Sequence, residues 1–295
     1  MTPGKASETA RFVAIQRAHH HLFSPEPHIL DDNLALAISG MPDADAVKAA
    51  NDGLVAGFSA LGGEDVARAF VTQVEHAVAA RARFVEEKME RGGFEQFVLL
   101  GAGLDTLPYR RPDLFKACPA IEVDHPDTQV FKRAALSNAG ITIPDHAGFV
   151  PFDFENTTLA QALDAGGVDR SKRTLFAWLG VNMYLTLDAI KATARVMASF
   201  AKGSEAVMDF VPVESTQLEG SVEDSISELR KMVEKMGEPI LSRFALEDLD
   251  ALLIDNGFSG VEHLSGRQIR DRFLGGNDAA YVMPDDAVHI VSAIV

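Results

Sequence analysis

Apolar residues recur at helical spacing over residues 64–91, which is the clearest helical pattern in the chain. Arg81 falls within this apolar seam, and the opposite, polar side carries Arg83, His76 and Glu87. An arginine that faces the core needs a partner, because burying an unpaired charge is costly. Arg81 is therefore expected to form a structural ion pair, to extend its head to solvent, or to meet a carboxylate of a bound ligand. The apolar residues of the seam are Phe70, Val74, Ala77, Val78, Phe84, Val85 and Met89.

Two further helices are predicted nearer the beginning of the chain. Residues 8–24 form the first, for which Ser7 is a suitable N-cap. Residues 31–39 form a second, short helix that ends at Gly40. Residues 41–63 are rich in glycine, aspartate and alanine, and no pattern in them predicts an element.

After residue 93, short apolar runs alternate with helical segments such as 187–202, which is typical of βαβ units and a mostly parallel sheet. Pro151 lies inside the third run and favours an edge strand, because proline cannot donate a ladder hydrogen bond. The fourth run is almost wholly apolar, as expected of a central strand buried on both faces. The seven predicted strands are 97–100, 120–124, 149–154, 175–179, 206–211, 260–264 and 288–295.

This change of pattern divides the chain into an N-terminal helical segment, 1–93, packed on an α/β core, 94–295. Residues 213–239 interrupt the alternation with an apolar stripe at helical spacing. The insertion is either an ordinary packed helix or a lid over a binding pocket.

The charge of the chain narrows its expected partners. The formal net charge is −16, from 43 acidic and 27 basic residues, so the surface repels nucleic acids and anionic membranes. Only one cysteine is present, Cys118, which excludes an intrachain disulfide and a thiolate metal cluster. The first residues show no signal-peptide pattern, and no apolar run approaches the ~20 residues that span a bilayer. We expect a cytoplasmic protein that acts on a small molecule; the sequence does not indicate its oligomeric state.

A glycine loop at residues 101–106 directly follows the first predicted strand. Glycine tolerates positive φ and lets a ligand approach the backbone, and ligands of open α/β sheets bind beyond the carboxyl ends of the strands. Thr106 stands where a dinucleotide fingerprint has its third glycine, which disfavours NAD or FAD and favours an adenosyl ligand without a pyrophosphate. The loop residues predicted to bind this cofactor are Gly101, Ala102, Gly103 and Asp105.

Acidic residues lie at or near the ends of the next two predicted strands. Asp124 lies 21 residues after Gly103, and an acid at this spacing typically accepts hydrogen bonds from ribose hydroxyls. A solvated loop carboxylate is the alternative for Asp124. Asp153 is placed to meet an adenine amino group, and Phe154 either packs on the base or belongs to the core.

The loop after the fourth strand, 180–186, is the one nearest the reacting centre in such a fold. Asn182 and Tyr184 are candidates to hold an acceptor, and the Tyr184 ring is also suited to face a sulfonium cation. The alternative for Tyr184 is that it only packs against the following helix. A carboxylate acceptor needs no base, whereas a hydroxyl acceptor does, and His125 or Tyr184 would then supply it.

Three consecutive histidines, His19, His20 and His21, do not predict a metal site. Adjacent helical positions point in different directions and cannot chelate one ion without distortion. No metal cofactor is expected from the sequence.

Five motifs together resemble the leucine carboxyl methyltransferase-like family, which includes polyketide O-methyltransferases and many bacterial members. The glycine loop with its Leu-Asp-Thr tail and the Asp-His-Pro turn are the most specific of them, and the resemblance runs from about residue 7 to the last strand. The motifs are Ser7-Glu8-Thr9-Ala10, Ala80-Arg81-Ala82-Arg83-Phe84, Leu100-Gly101-Ala102-Gly103-Leu104-Asp105-Thr106, Glu122-Val123-Asp124-His125-Pro126 and Tyr184-Leu185-Thr186.

The resemblance implies a Rossmann-like sheet of seven strands with an antiparallel last strand, and S-adenosyl-L-methionine as the cofactor. It implies that Arg81 grips the methionine carboxylate, that Gly101 lies under the cofactor and that Asp124 binds ribose. It further implies that Asp153 with Phe154 holds adenine. Many members have Glu-Gly after the fourth strand, where the glutamate meets the cofactor amino group. This chain has Leu179-Gly180, so that contact comes from another group, for which a backbone carbonyl is one candidate.

The resulting hypothesis is an O-methyltransferase that acts on a small carboxylate or hydroxyl compound, in keeping with secondary metabolism. Methyl transfer is an in-line displacement, in which the protein supplies alignment and excludes water. A non-catalytic protein that binds the same cofactor is one alternative, because Leu179 replaces the glutamate. A nicotinamide-dependent oxidoreductase is the other, against which the incomplete fingerprint argues.

Overall fold

The computed structural model describes residues 7–59, 63–152, 157–211, 227, 230–231, 233–235, 237–275 and 289–295. Four helices of the described chain precede the first strand. They are α1 (Glu8–Phe23), α2 (Ala35–Ser39), α3 (Ala44–Phe58) and α4 (Glu64–Arg91).

The rest of the described chain alternates strands with helices. In order, it contains β1 (Gln96–Leu100), α5 (Leu107–Arg110), a 3₁₀ helix (Pro112–Phe115), β2 (Ala120–Asp124), α6 (Pro126–Asn138), β3 (Ala147–Pro151), α7 (Leu159–Ala165), β4 (Thr174–Trp178), a 3₁₀ helix (Asn182–Tyr184), α8 (Leu187–Ala198), β5 (Glu205–Phe210), α9 (Leu246–Asp255), β6 (Gly260–Leu264), α10 (Gly266–Phe273) and β7 (His289–Ile294).

The seven strands form one sheet in the order β3-β2-β1-β4-β5-β7-β6. All neighbours are parallel except β7, which is antiparallel to both β5 and β6. This confirms the predicted α/β fold with its antiparallel last strand. The strand order reverses between β1 and β4, and the crevice at such a switch point is where ligands of open α/β sheets bind.

Two of the strand positions follow from local composition. β4 is buried along its whole length between β1 and β5, as its apolar run predicts. β3 lies at the sheet edge, as Pro151 predicts, but it runs over Ala147–Pro151 rather than 149–154. Its ladder is set by β2, whose five residues pair with those five in register. The last two residues of the predicted strand, Asp153 and Phe154, lie outside the described residues.

Helices cover both faces of the sheet and bury it. On one face α4 packs against β1, β4 and β5, and Ile269 of α10 joins the same apolar cluster. On the other face α7, α8 and α9 enclose Phe176 and Trp178 of β4. Burying a large apolar side chain of this kind contributes about 1.5–3 kcal/mol. No helix among the described residues is long and apolar enough to cross a membrane.

The N-terminal helices differ from the prediction in three places. The second helix begins at Ala35 rather than at residue 31. Residues 41–63, for which no element is predicted, contain α3, and its N-cap Asp43 accepts a hydrogen bond from the Ala46 amide at 2.8 Å. His76, predicted on the polar side of α4, is only 3% exposed because α1 packs across that face. Its ring centroid lies 5.8 Å from that of His20 on α1. Burial lowers the pKa of His76 to about 4, and His20 acts in the same direction.

Candidate functional site

A cavity of about 930 Å³ opens where β1, β2, β4 and β5 end, and α1 and α4 form part of its wall. The predicted residues that line it come from segments far apart in the chain. They are Arg81, Gly101, Ala102, Gly103, Asp105, Asp124, His125, Leu179 and Tyr184. The sheet therefore brings together at its switch point the groups that the sequence predicts to act together.

The glycine loop lies tightly against the neighbouring strand ends. Gly101 has φ +70°, and a Cβ at this position would lie 2.3 Å from Val181 Cγ2, so a side chain here would clash. The amides of Gly101 and Ala102 both donate to the Val123 carbonyl, at 2.8 and 3.2 Å. Only glycine fits this approach, which leaves the backbone itself as the floor of the cavity.

A buried ionic network holds the glycine loop from behind. The Thr106 hydroxyl donates to Asp32 Oδ2 at 2.7 Å, and Arg17 Nε lies 3.1 Å from the same oxygen. Arg17 also donates to the Leu104 carbonyl. Arg17 and Asp32 are 4% and 1% exposed, and two buried charges are tolerated here because each is paired. Sequence reasoning missed both residues, since no local pattern reveals a contact between α1 and a loop 87 positions away.

Thr106 also explains why the loop differs from a dinucleotide site. Its side chain is used in the contact with Asp32. The helix that follows, α5, has only four residues, Leu107–Arg110. A pyrophosphate site needs the N-terminus of a substantial helix at this position. The geometry therefore argues against NAD or FAD, as the missing third glycine predicts.

Asp124 ends β2 and links two loops. Its Oδ2 accepts from the Gly103 amide, and its Oδ1 accepts from the His125 amide at 2.6 Å. Burial raises the pKa of Asp124 above its usual value, and the two amide hydrogen bonds oppose that shift. An ionised carboxylate has about four acceptor positions. Two remain for ligand hydroxyls at this side of the cavity.

An ion pair between α4 and β5 lines the cavity, and β1 and β4 lie between this β5 residue and Asp124 on β2. Arg81 Nη1 contacts Asp209 Oδ2 at 2.6 Å, and the Gly180 amide donates to Asp209 Oδ1 at 2.6 Å. Gly180 has φ +67°, and a Cβ there would lie 2.8 Å from Arg81 Nη2. The seam arginine therefore has a structural ion pair and also lines the cavity. Asp209, at the end of β5, is a site residue that sequence reasoning missed.

Two other loop residues, Asp105 and Leu179, line the same cavity. Asp105 Oδ1 accepts from the Leu107 amide at 2.8 Å, and its Oδ2 lies 3.6 Å from Arg17 Nη1. Leu179 directly follows β4 and presents an apolar side chain. Asp153 and Phe154, predicted to hold adenine, are outside the described residues.

Tyr184 lines the cavity from the loop after β4, the strand next to the β5 strand that carries Asp209. Burial raises the pKa of Tyr184 to about 12, and the charge of Glu238 acts in the same direction. The phenol therefore stays protonated at neutral pH and is able to donate a hydrogen bond. Ser7 and Thr9 of the first turn both donate to Glu238, which places the beginning of α1 against this part of the wall.

Asn182 and His125 lie in different surroundings from those of Tyr184. Asn182 is 2% exposed and does not line the cavity; its Nδ2 donates to the Asp209 carbonyl at 2.6 Å. His125 follows β2, two strands from the β4 loop that carries Tyr184. Its Nδ1 accepts from the Asp127 amide at 3.2 Å, so it caps α6.

The cavity wall is mostly apolar, with charged side chains in it. Phe70 and Val74 of α4, Met183 and Val233 contribute apolar side chains. Glu238 and Arg230 line the same cavity, and the buried Nε of Arg230 has no hydrogen-bond partner among the described residues. A buried guanidinium N–H without an acceptor is unfavourable, so this region is suited to receive an anionic group.

Comparisons with known proteins place the chain in a family. A family model for leucine carboxyl methyltransferase matches residues 10–198. YktD of Bacillus subtilis (strain 168), provisionally named an S-adenosyl-L-methionine-dependent methyltransferase, is 32% identical over 226 residues, 75% of this chain and 73% of that protein. A protein of the same provisional description from Mycolicibacterium gilvum (strain PYR-GCK) is 33% identical over 138 residues, 45% of this chain and 54% of that protein.

Solved structures agree on the fold. A provisionally assigned methyltransferase from Thermobifida fusca YX has a TM-score of 0.59 at 16% identity and covers 99% of this chain and 96% of its own. A DUF574 family protein from Streptomyces avermitilis MA-4680 has a TM-score of 0.57 at 16% identity, covering 88% of this chain and 94% of its own. The chain thus belongs to the leucine carboxyl methyltransferase family and is an enzyme that uses S-adenosyl-L-methionine as its methyl donor.

Proposed function

We propose that the enzyme methylates an oxygen of a small carboxylic acid. The observation that carries this proposal is a largely apolar cavity wall that holds Arg230, whose buried Nε has no partner among the described residues, and a protonated Tyr184. A carboxylate satisfies a buried guanidinium and, being already anionic, needs no general base. The net charge of −16 supports a small acceptor over a nucleic acid.

The residues around the cavity fit S-adenosyl-L-methionine at both of its polar ends. The amino-acid end of the cofactor is a zwitterion, and Arg81 and Asp209 offer opposite charges 2.6 Å apart. We assign Arg81 to its carboxylate and Asp209 to its ammonium, so that Asp209 supplies the contact that Leu179 cannot make. Asp124 accepts the ribose hydroxyls. The remaining proposed cofactor residues are Gly101, Ala102, Gly103, Asp105, Leu179, Asp153 and Phe154.

The bound cofactor supplies the activated methyl carbon. The chain's own part is to align the acceptor oxygen with that carbon and to keep water out. Arg230 orients the acceptor carboxylate, and Tyr184 donates a hydrogen bond from its protonated phenol. The apolar side chains of Val74, Met183 and Val233 exclude water from the same space. The ester product has lost the negative charge that Arg230 binds, which favours its release.

A hydroxyl acceptor is the second candidate, because Glu238 lines the same cavity and a carboxylate can act as its base. Tyr184 is protonated, and His125 lies two strands from the loop that carries Tyr184. Glu238 is therefore the best placed of the three to act as the base. Asn182 has no cavity-lining surface with which to hold either acceptor.

The test is a panel of small aromatic and aliphatic acids, each matched with its alcohol or phenol, assayed for S-adenosylhomocysteine formation. We expect turnover with acids and a product that releases methanol in mild alkali, because esters hydrolyse there and ethers do not. Alkali-stable products from the alcohols would contradict the carboxylate assignment. Cofactor binding without turnover on the whole panel would contradict a small acid as the acceptor.

A further inference from the structure

Five of the nine histidines lie together where the end of α1 meets the following loop and α4. The methyl-transfer site does not use them. Ring centroids are 5.6 Å apart for His20 and His28, 5.8 Å for His20 and His76, and 5.9 Å for His21 and His28. The fifth, His19, contacts Glu75 from the same helix end. The cluster divides into an inner and an outer part with different hydrogen bonding.

The inner part is a completed hydrogen-bond network around Glu75. His19 Nδ1 and His20 Nδ1 lie 2.6 and 3.1 Å from its carboxylate oxygens, and the Ser24 hydroxyl donates to it. His20 Nε2 accepts from the Ile29 amide at 3.1 Å. Both nitrogens of His20 are therefore engaged, and this part serves to join α1, α4 and the loop.

The outer part consists of His21, His28 and Asp31, and we call it the outer triad. Each residue offers one ligand atom, and the three atoms lie within 4.8 Å of one another. His21 Nδ1 lies 2.7 Å from Asp31 Oδ1, yet the buried nitrogen makes no hydrogen bond within the described chain. A ring nitrogen and a carboxylate oxygen that lie this close together can both be ligands of one cation.

A backbone carbonyl sets the state of the third imidazole. His28 Nε2 lies 3.0 Å from the Ser24 carbonyl oxygen. A carbonyl can only accept, so Nε2 carries the proton and the neutral ring has its lone pair on Nδ1. Metal-binding histidines are commonly oriented in this way, with the other ring nitrogen donating to a carbonyl or carboxylate.

We propose that the outer triad binds a divalent metal ion of the zinc type. Two imidazole nitrogens and one carboxylate oxygen are a ligand set that zinc accepts, with a water completing four-coordination. Asp31 is 77% exposed and His21 28% exposed, which gives the ion a path from solvent. Adjacent helical residues do not share an ion here, because His20 belongs to the inner network and His21 to the outer triad.

The position of the triad connects it with the cofactor loop. Asp31 immediately precedes Asp32, which holds Arg17 and Thr106 behind the glycine loop. An ion bound to His21, His28 and Asp31 would join the end of α1 to the loop that carries Asp32. The expected role is therefore to fix this loop rather than to take part in methyl transfer.

The experiment is calorimetric titration of Zn²⁺ into the full chain without an affinity tag, together with Co²⁺ absorption spectroscopy. We expect one ion per chain, and a visible Co²⁺ band of the intensity that four-coordinate sites give. His28→Gln and Asp31→Asn should each weaken Zn²⁺ binding at least about 30-fold, since a ligand should matter no less than its outer-shell partners. Circular dichroism melting confirms that each variant is folded.

Two controls separate the outer triad from other histidines. His263→Gln removes a ring that pairs with Asp250 at 2.7 Å elsewhere on the surface, and it should leave Zn²⁺ binding unchanged. Glu75→Gln alters only the inner network. No binding at micromolar Zn²⁺, binding unaffected by both triad variants, or binding abolished by Glu75→Gln alone would overturn the proposal.

Discussion

The two ends of the cavity are built differently. At the glycine loop, polar groups are held in place by chain contacts, as Asp124 is by two amides and Thr106 is by Asp32. Elsewhere the cavity wall is mostly apolar, and Arg230 lines it with a buried Nε that has no partner among the described residues. A prearranged end suits a cofactor of constant shape. An end with few fixed polar contacts suits an acceptor that supplies its own.

The Arg81–Asp209 pair, assigned above to the cofactor, should show the largest effect. Asp209→Ala removes the counter-charge of Arg81 and the acceptor of the Gly180 amide. We expect the Kd for S-adenosylhomocysteine to rise about 100-fold, because charge-assisted hydrogen bonds are worth about 1.5–3 kcal/mol each. Calorimetric titration measures this Kd. Asp250→Ala, which removes a carboxylate elsewhere on the surface, is the matched control and should leave the Kd unchanged. An unchanged Kd would remove Asp209 from the cofactor end.

Arg230 tests the acceptor end by itself. Arg230→Gln should raise the KM for a carboxylate acceptor about 10-fold or more, because it removes a charged hydrogen-bond partner. The Kd for S-adenosylhomocysteine should stay the same. Arg230→Lys should recover part of the loss, and Arg91→Gln, at an exposed ion pair with Glu87, should change neither constant. Equal losses of acceptor and cofactor binding would contradict the division.

Tyr184→Phe should have a smaller effect, confined to turnover. Removing one neutral hydrogen-bond donor is worth about 1 kcal/mol, or roughly fivefold in rate. We expect kcat to fall by that factor while cofactor affinity holds, measured by S-adenosylhomocysteine release. Because the pKa of Tyr184 is about 12, the rate should show no titration of this group between pH 7 and about 9. A rate that rises with pH through this range in wild type but not in Tyr184→Phe would indicate that the phenolate acts as a base.

Lowering the pH should weaken cofactor binding by a small factor. Burial raises the pKa of Asp124, and ribose hydroxyls bind the ionised form, so affinity should fall as the pH drops toward that raised pKa. Asp124→Asn should bind more weakly and without this dependence. Calorimetric titrations with S-adenosylhomocysteine at a series of pH values measure this dependence. The same dependence of Kd on pH in wild type and in Asp124→Asn would refute the role of the carboxylate.

The glycine loop and the acid after β2 could be predicted because their chemistry is written in consecutive residues. Gly101, Gly103 and Asp124 have fixed spacing, and parallel strands bring their carboxyl ends to one edge. The seven strands and the antiparallel β7 agree with what the family resemblance implied, whereas the strand order comes from the structure alone. The edge position of β3 followed from Pro151, whereas its length depended on pairing with β2.

The rest could not be predicted because it depends on contacts between distant segments. Arg17 and Asp32 lie behind a loop more than 70 residues away, and Asp209 meets Arg81 across 128 positions. His76 is buried only because α1 crosses its face of α4. α3 contains two internal glycines, Gly53 and Gly57, and glycine disfavours a helix, so the sequence did not predict α3 although Asp43 caps it.

The central claim is that the glycine loop and Asp124 form the cofactor end of the cavity. Calorimetry of S-adenosylhomocysteine with wild type and Asp124→Ala tests it most directly. We predict that wild type binds and that Asp124→Ala binds about 100-fold more weakly, since two charge-assisted hydrogen bonds to ribose are lost. No binding by wild type, or the same Kd for Asp124→Ala, would contradict the claim.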